Sequence, residues 1–149
     1  MRTVNVVART KFEPQQGMVL FAKNKRRVSA FYRATLGLKA VESEASHDLL
    51  RGTTYEIVVH AIPRKIAAGI EITDPPTARE RAAIKPTFVV KSLDKVRDAA
   101  EKTGGFLNSA SETWHFRGCS VLDGTDPEGN QVQFKQRDAQ QAVAADRDG

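Results

Sequence analysis

The succession of apolar runs, helix caps and turn glycines in this chain is spelled twice, and a repeated module constrains a fold more than any single motif. Met18–Ala22 is a short apolar run suited to a buried strand. Lys25 to Leu36 then places Val28, Phe31, Tyr32 and Thr35 at i, i+3, i+4 and i+7, the stripe of an amphipathic helix. Asn24 is its expected N-cap and Gly37 its C-cap. Leu38–Ala45, His47–Arg51 and Thr54–Ile62 read as three strands, with Pro63 ending the run. Pro86–Val90 opens the second spelling, with Ser92 as N-cap. A helix over Leu93–Thr103 turns Leu93, Val96, Ala99 and Ala100 inward and stops at Gly104-Gly105. Phe106–Ala110, Glu112–Leu122 and Asn130–Gln136 are its three further strands. At an offset of 68 residues Leu20, Asn24, Val28 and Gly37 fall on Phe88, Ser92, Val96 and Gly105. At an offset of 77, Gly52, Glu56 and Ile57 fall on Gly129, Gln133 and Phe134.

The stretch from Val121 to Phe134 is the sharpest local signal. Gly124, Asp126-Pro127 and Gly129-Asn130 are turn formers, because glycine supplies positive φ, proline presets φ, and Asp and Asn tolerate left-handed geometry. Apolar-alternating runs flank them, so the stretch reads as two antiparallel strands around a polar corner. Between the repeats, 63–84 is an irregular connector containing Asp74-Pro75-Pro76.

At 149 residues the chain holds one domain or two small fused modules. No window approaches 18 uninterrupted apolar residues, which excludes a helical membrane span. The first residues lack an apolar signal core, and the single Cys119 forbids an internal disulfide; both point to the cytoplasm. The net charge of +5 is local: residues 1–27 carry seven Lys and Arg against Glu13, leaving the rest close to neutral. Lys25-Arg26-Arg27 is then the solvated start of a helix, and no nucleic-acid partner is expected.

The segment Phe31-Tyr-Arg-Ala-Thr-Leu-Gly-Leu38 after a strand, and Asp126-Pro-Glu-Gly-Asn130 before the last one, resembles the vicinal oxygen chelate superfamily. That group contains glyoxalase I, extradiol dioxygenases, fosfomycin-resistance enzymes and bleomycin-resistance proteins. The resemblance covers residues 17–136 and implies an α+β fold. Two βαβββ modules, 17–62 and 85–136, would form a paired half-barrel around a central cup. Residues 1–16 are then an extension and 137–149 a tail.

In that superfamily a divalent metal is held by His and Glu side chains from the first and fourth strands of each module. Carried over, the positions are Gly17, Lys85, Glu56 and Gln133. Glycine has no side chain, a lysine is a poor neighbour for a cation, and a glutamine is a weak ligand. Glu56 alone does not make a specific site. The resemblance therefore implies a member without the metal and without another cofactor. His60 shares a strand face with Glu56 but lies about 13 Å along it at ~3.3 Å per residue, too far to share one ion. His47 and His115 would contribute only by unusual geometry, and Cys119 reads as a small hydrophobe inside a strand.

Three functions follow. The first is a homodimeric protein that binds a small neutral or anionic molecule in the cup. Lys85, Gln133 and Trp114 would touch the ligand. The second is a metal-independent lyase or isomerase with Glu56 or His60 as base and Lys85 as electrophile. The third is a protein-interaction module in which the cup only folds. Glu56 and Lys85, from opposing modules, are expected to form an ion pair.

Overall fold

A computed structural model describes residues 14–139; the expectations made for the first 13 residues and from 140 onward lie outside the described residues. The order is β1 (Gln16–Ala22), α1 (Lys25–Leu36), β2 (Lys39–Ser43), β3 (His47–Arg51), β4 (Tyr55–Ala61), α2 (Arg64–Ala67), β5 (Thr87–Val90), α3 (Leu93–Lys102), β6 (Phe106–Leu107), a 3-10 turn (Ala110–Glu112), β7 (Trp114–Phe116), β8 (Cys119–Thr125) and β9 (Gln131–Arg137). This is the α+β architecture of two strand–helix–strand modules, each with its own sheet.

Local chemistry sets the helices. The Asn24 side chain accepts from the Arg27 amide at the start of α1, and Gly37 ends the helix at φ 66°. The Ser92 hydroxyl accepts from the Lys95 amide at the start of α3. Both helices pack against one face of the sheets. Val28, Phe31 and Tyr32 from α1 meet Leu50, Ile57 and Val59, while Leu93, Val96 and Ala100 from α3 join Leu122, Val132 and Phe134 in one continuous core.

The first sheet runs β1-β4-β3-β2, with β1 parallel to β4. The second runs β5-β9-β8-β6, with β7 also paired to β8, so it has five strands where the sequence implies four. The expected strand Glu112–Leu122 is broken by a hairpin. Arg117 and Gly118 take φ 48° and 73°, and Trp114 folds back opposite Val121. Gly124, expected in the turn, instead lies inside β8. A Cβ there would sit 2.9 Å from the Phe106 carbonyl oxygen, so strand β6 requires a glycine.

The corner between β8 and β9 ties the modules together. The buried Asp126 carboxylate accepts from the amides of Glu128 and Asn130, from the Asn130 side chain and from the Tyr32 hydroxyl at 2.9 Å. Burial raises its pKa above the ordinary value, against the lowering effect of those hydrogen bonds. The Glu128 carboxylate accepts from the Lys23 and Asn24 amides, both at 2.7 Å, and so caps α1 from the other module.

Asp48 is the matching anchor within the first module. It accepts from Lys25 Nζ, Ser29 Oγ and Ser43 Oγ, each at 2.6 Å. Burial opposes its ionisation, but those three donors outweigh burial and hold its pKa below the usual carboxylate value. An acid with a lowered folded-state pKa contributes stability above its unfolded pKa of about 3.9 and loses it as pH falls through the folded value. Asp48→Asn is therefore expected to cost about 1–3 kcal/mol near neutrality. The gap between parent and variant should shrink below about pH 4, as read by urea unfolding at a series of pH values.

Candidate functional site

The faces turned away from the helices carry the chemistry. On the first sheet, register sets Gly17 beside Glu56, Val19 beside Val58 and Phe21 beside His60. The next strand continues those rows with Arg51, Leu49 and His47. On the second sheet one row holds Thr87, Gln133 and Asp123, and the next holds Val89, Lys135, Val121 and Trp114. Val19, Phe21, Val89, Trp114 and Phe116 on these faces are all more than two-fifths exposed.

Between the edge strands β1 and β5 lies a cleft of about 380 Å³ lined by Gln16, Gly17, Tyr55, Glu56, Thr87 and Phe88, among others. Tyr55 and Phe88 meet there with ring centroids 5.1 Å apart. Burial pushes the pKa of the Tyr55 hydroxyl up to about 12, so it stays protonated at neutral pH.

Glu56 lines this cleft as the sequence implies, but its partner is Arg51, whose Nε and Nη2 lie 3.2 and 3.0 Å from Oε2. Lys85 is elsewhere. It precedes β5 and its Nζ lies 2.8 Å from Asp123 Oδ2, so the expected Glu56–Lys85 ion pair is not formed. The residue beside Gln133 is Thr87, two places further on. The Thr87 hydroxyl donates to Gln133 Oε1 at 3.1 Å, and Gln133 Nε2 donates to Asp123 Oδ1 at 3.3 Å. Lys85, Asp123, Gln133 and Thr87 thus form one polar row on the second sheet. Sequence reasoning missed Thr87 and Asp123; the alternation of β8, which puts Asp123 on the same face as Val121, was the available signal.

These positions do not fit the superfamily's metal. They offer one carboxylate already bridged to a guanidinium, a glycine, a hydroxyl and an amide oxygen that accepts from that hydroxyl. A side chain at Gly17 would also press on Glu56, since a Cβ there lies 3.2 Å from its carbonyl oxygen.

The remaining expected residues lie apart from the cleft lining. His60 packs against Phe21 and His47 at ring distances of 5.7 and 6.4 Å. Trp114 sits on β7 against Phe116 at 5.9 Å, with Arg117 and Lys135 over the Phe116 ring at 5.3 and 5.4 Å. Cys119 is half-buried opposite Arg137.

No protein-family profile and no curated protein matches the chain. Its architecture does match solved structures. A glyoxalase/bleomycin resistance protein from Albidiferax ferrireducens T118 is 20% identical with a TM-score of 0.57, over 82% of this chain and 97% of that one. A glyoxalase/bleomycin resistance protein/dioxygenase family enzyme from Burkholderia phytofirmans PsJN is 18% identical with a TM-score of 0.61, over 84% and 99%. The fosfomycin resistance protein FosX from Listeria monocytogenes is 12% identical with a TM-score of 0.57, over 87% and 94%. The chain therefore has the glyoxalase/bleomycin-resistance fold. Identities this low establish the fold alone.

The register yields a gain-of-function test. Gly17→His with Thr87→His and Gln133→Glu would add three ligands around Glu56 and should confer saturable Mn²⁺ or Ni²⁺ binding in calorimetry, at least tenfold tighter than in the parent. The same set with Lys85→His in place of Thr87→His keeps only two of the three added ligands and should bind at least tenfold more weakly than the first set.

Proposed function

We propose that this protein binds a small neutral or anionic molecule in the cleft between β1 and β5, without the superfamily metal, as a cytoplasmic homodimer. The observation that carries the reading is the cleft itself. It is open, about 380 Å³, and flanked by Tyr55 and Phe88, while the superfamily's ligand positions around it hold Gly17, Glu56 and Thr87. Apolar walls with a few convergent polar groups are what a small-molecule site needs. The Tyr55 hydroxyl and the Arg51–Glu56 pair would orient the ligand; Gln133 would act through Thr87. Lys85 and Trp114 would meet it only where it extends beyond the lining.

The apolar side chains Val19, Phe21, Val89, Trp114 and Phe116 on the helix-free faces favour a second copy as their cover. No helix among the described residues is long and apolar enough to cross a membrane. Metal-independent catalysis would have to run through Glu56. His60 is outside the lining and Lys85 is engaged with Asp123, which disfavours the base-and-electrophile arrangement.

A thermal-shift screen with small carboxylates and neutral aromatics is expected to give hits that raise Tm. Thr87→Phe, which narrows the cleft, should abolish them, and Lys85→Ala should leave them. Hits untouched by Thr87→Phe would place binding elsewhere, and an absence of hits across both classes would overturn the reading.

A further inference from the structure

We propose that the molecule taken by the cleft is a short, uncharged, extended peptide whose main chain adds as a further strand to the free edge of β1, with β5 as the opposite wall. The inference rests on the reading of the cleft as a binding site and names its ligand class.

Main-chain direction alternates along a strand, so register decides which amides are used inside a sheet. Ala22 pairs with Ala61, and the Ile62 amide donates to the Ala22 carbonyl at 2.8 Å, so Ala22 turns its main-chain groups toward β4. By alternation Leu20 and Met18 do the same, while Gly17, Val19 and Phe21 turn theirs to the open side. On the second sheet the Gln133 amide donates to the Pro86 carbonyl at 2.8 Å, with Thr87 in register with Gln133. Pro86 and Phe88 therefore face β9, and Thr87 and Val89 present amide and carbonyl outward. β1 and β5 end their sheets, and among the described residues none of these five outward amides has a hydrogen-bond partner.

An open strand edge templates another strand, so it is ordinarily guarded by charge, proline, a bulge or brevity. The outer edges of this fold are guarded in that way. β2 carries Lys39 and Glu42 and a register shift between Ala40 and Glu42, β6 has two residues and β7 has three. The inner edges differ. Neither β1, from Gln16 to Ala22, nor β5, from Thr87 to Val90, contains a charged residue or a proline. Both line the cleft of about 380 Å³.

The walls of the cleft suit a peptide main chain. Gly17 is exposed on β1 and lines the cleft, and a glycine within a strand lets a second backbone approach closely. Among the described residues of the lining Glu56 alone carries charge, and Arg51 already holds it, so uncharged amides complement the site. Tyr55 and Phe88, with ring centroids 5.1 Å apart, offer an apolar wall to every second side chain of an added strand. In strand addition the main-chain hydrogen bonds supply affinity and the alternate side-chain contacts supply selectivity.

The test adds a capped hexapeptide alternating valine and threonine to the full chain and reads amide hydrogen exchange by NMR. Exchange at Gly17 and Val19 is expected to slow at least tenfold at saturation, while Met18, whose amide is already used within the sheet, changes little. Of two versions N-methylated at the odd or at the even residues, at least one should bind at least tenfold more weakly. Equal binding of all three peptides, or no slowing at Gly17 and Val19, overturns the proposal. Slow exchange at both before any peptide is added also overturns it, since the edge is then paired within the chain or by a second copy. If the peptide fails while carboxylates or aromatics give thermal-shift hits that Thr87→Phe abolishes, the ligand class falls and the cleft reading stands. Failure of both sinks the cleft reading as well.

Discussion

Four hydrogen bonds converge on the Asp126 carboxylate where almost no water reaches it; three shape its own corner and the fourth ties the two modules together. One donor, Tyr32, comes from the helix of the other module and is itself part of the core. Its hydroxyl is fully buried, and burial, followed by the nearby Asp126 charge, pushes its pKa well above the ordinary value. Separating the modules would take from the Tyr32 hydroxyl its hydrogen-bond partner and from Asp126 one of its four donors. Glu128 adds a second tie by occupying the first free amides at the head of α1. The same five-residue corner thus closes one sheet, satisfies one helix end and fixes the relation between the halves.

That rigid frame explains how the helix-free faces tolerate unusual contents. A cup built to hold a cation needs converging, unpaired oxygens and nitrogens; here each polar group around the cleft is neutralised by a neighbour on its own sheet. Arg51 answers Glu56 on the first sheet, and Lys85 answers Asp123 on the second. The charged groups nearest the cleft are thus paired within their own sheets. A neutral guest, or an anion met by hydroxyl and guanidinium donors, suits such a space better than a metal ion does.

Local chemistry was the legible part of the sequence. Caps at Asn24, Gly37 and Ser92, the buried stripe of α1 and the Asp126–Asn130 corner all follow from interactions spanning fewer than about five residues, which sequence spacing encodes directly. The register between β5 and β9 is different, because it joins residues far apart in the chain. The helix caps repeat at an offset of 68 and the last turn at 77, and these two frames cannot both carry over to a strand pair. Following the caps gives Lys85; the observed pairing gives Thr87. The break at Arg117-Gly118 was hidden for another reason. Arginine seldom takes a positive φ, so only the lone glycine within an otherwise strand-like run marked the hairpin. The His47–His60 contact also needed the register of β3 on β4, though the two residues lie on adjacent strands.

The hairpin at Arg117-Gly118 has a geometric consequence. By adding β7 to one module only, it widens one sheet and sets Trp114 and Phe116, with the cations of Arg117 and Lys135, along a single rim. The two halves repeat one another in their backbone but no longer in the walls they present. A molecule spanning both meets an aromatic, cationic shelf at one end and the imidazole row of Phe21, His60 and His47 at the other. The two ends of such a guest are then inequivalent, so it has one preferred direction along the scaffold.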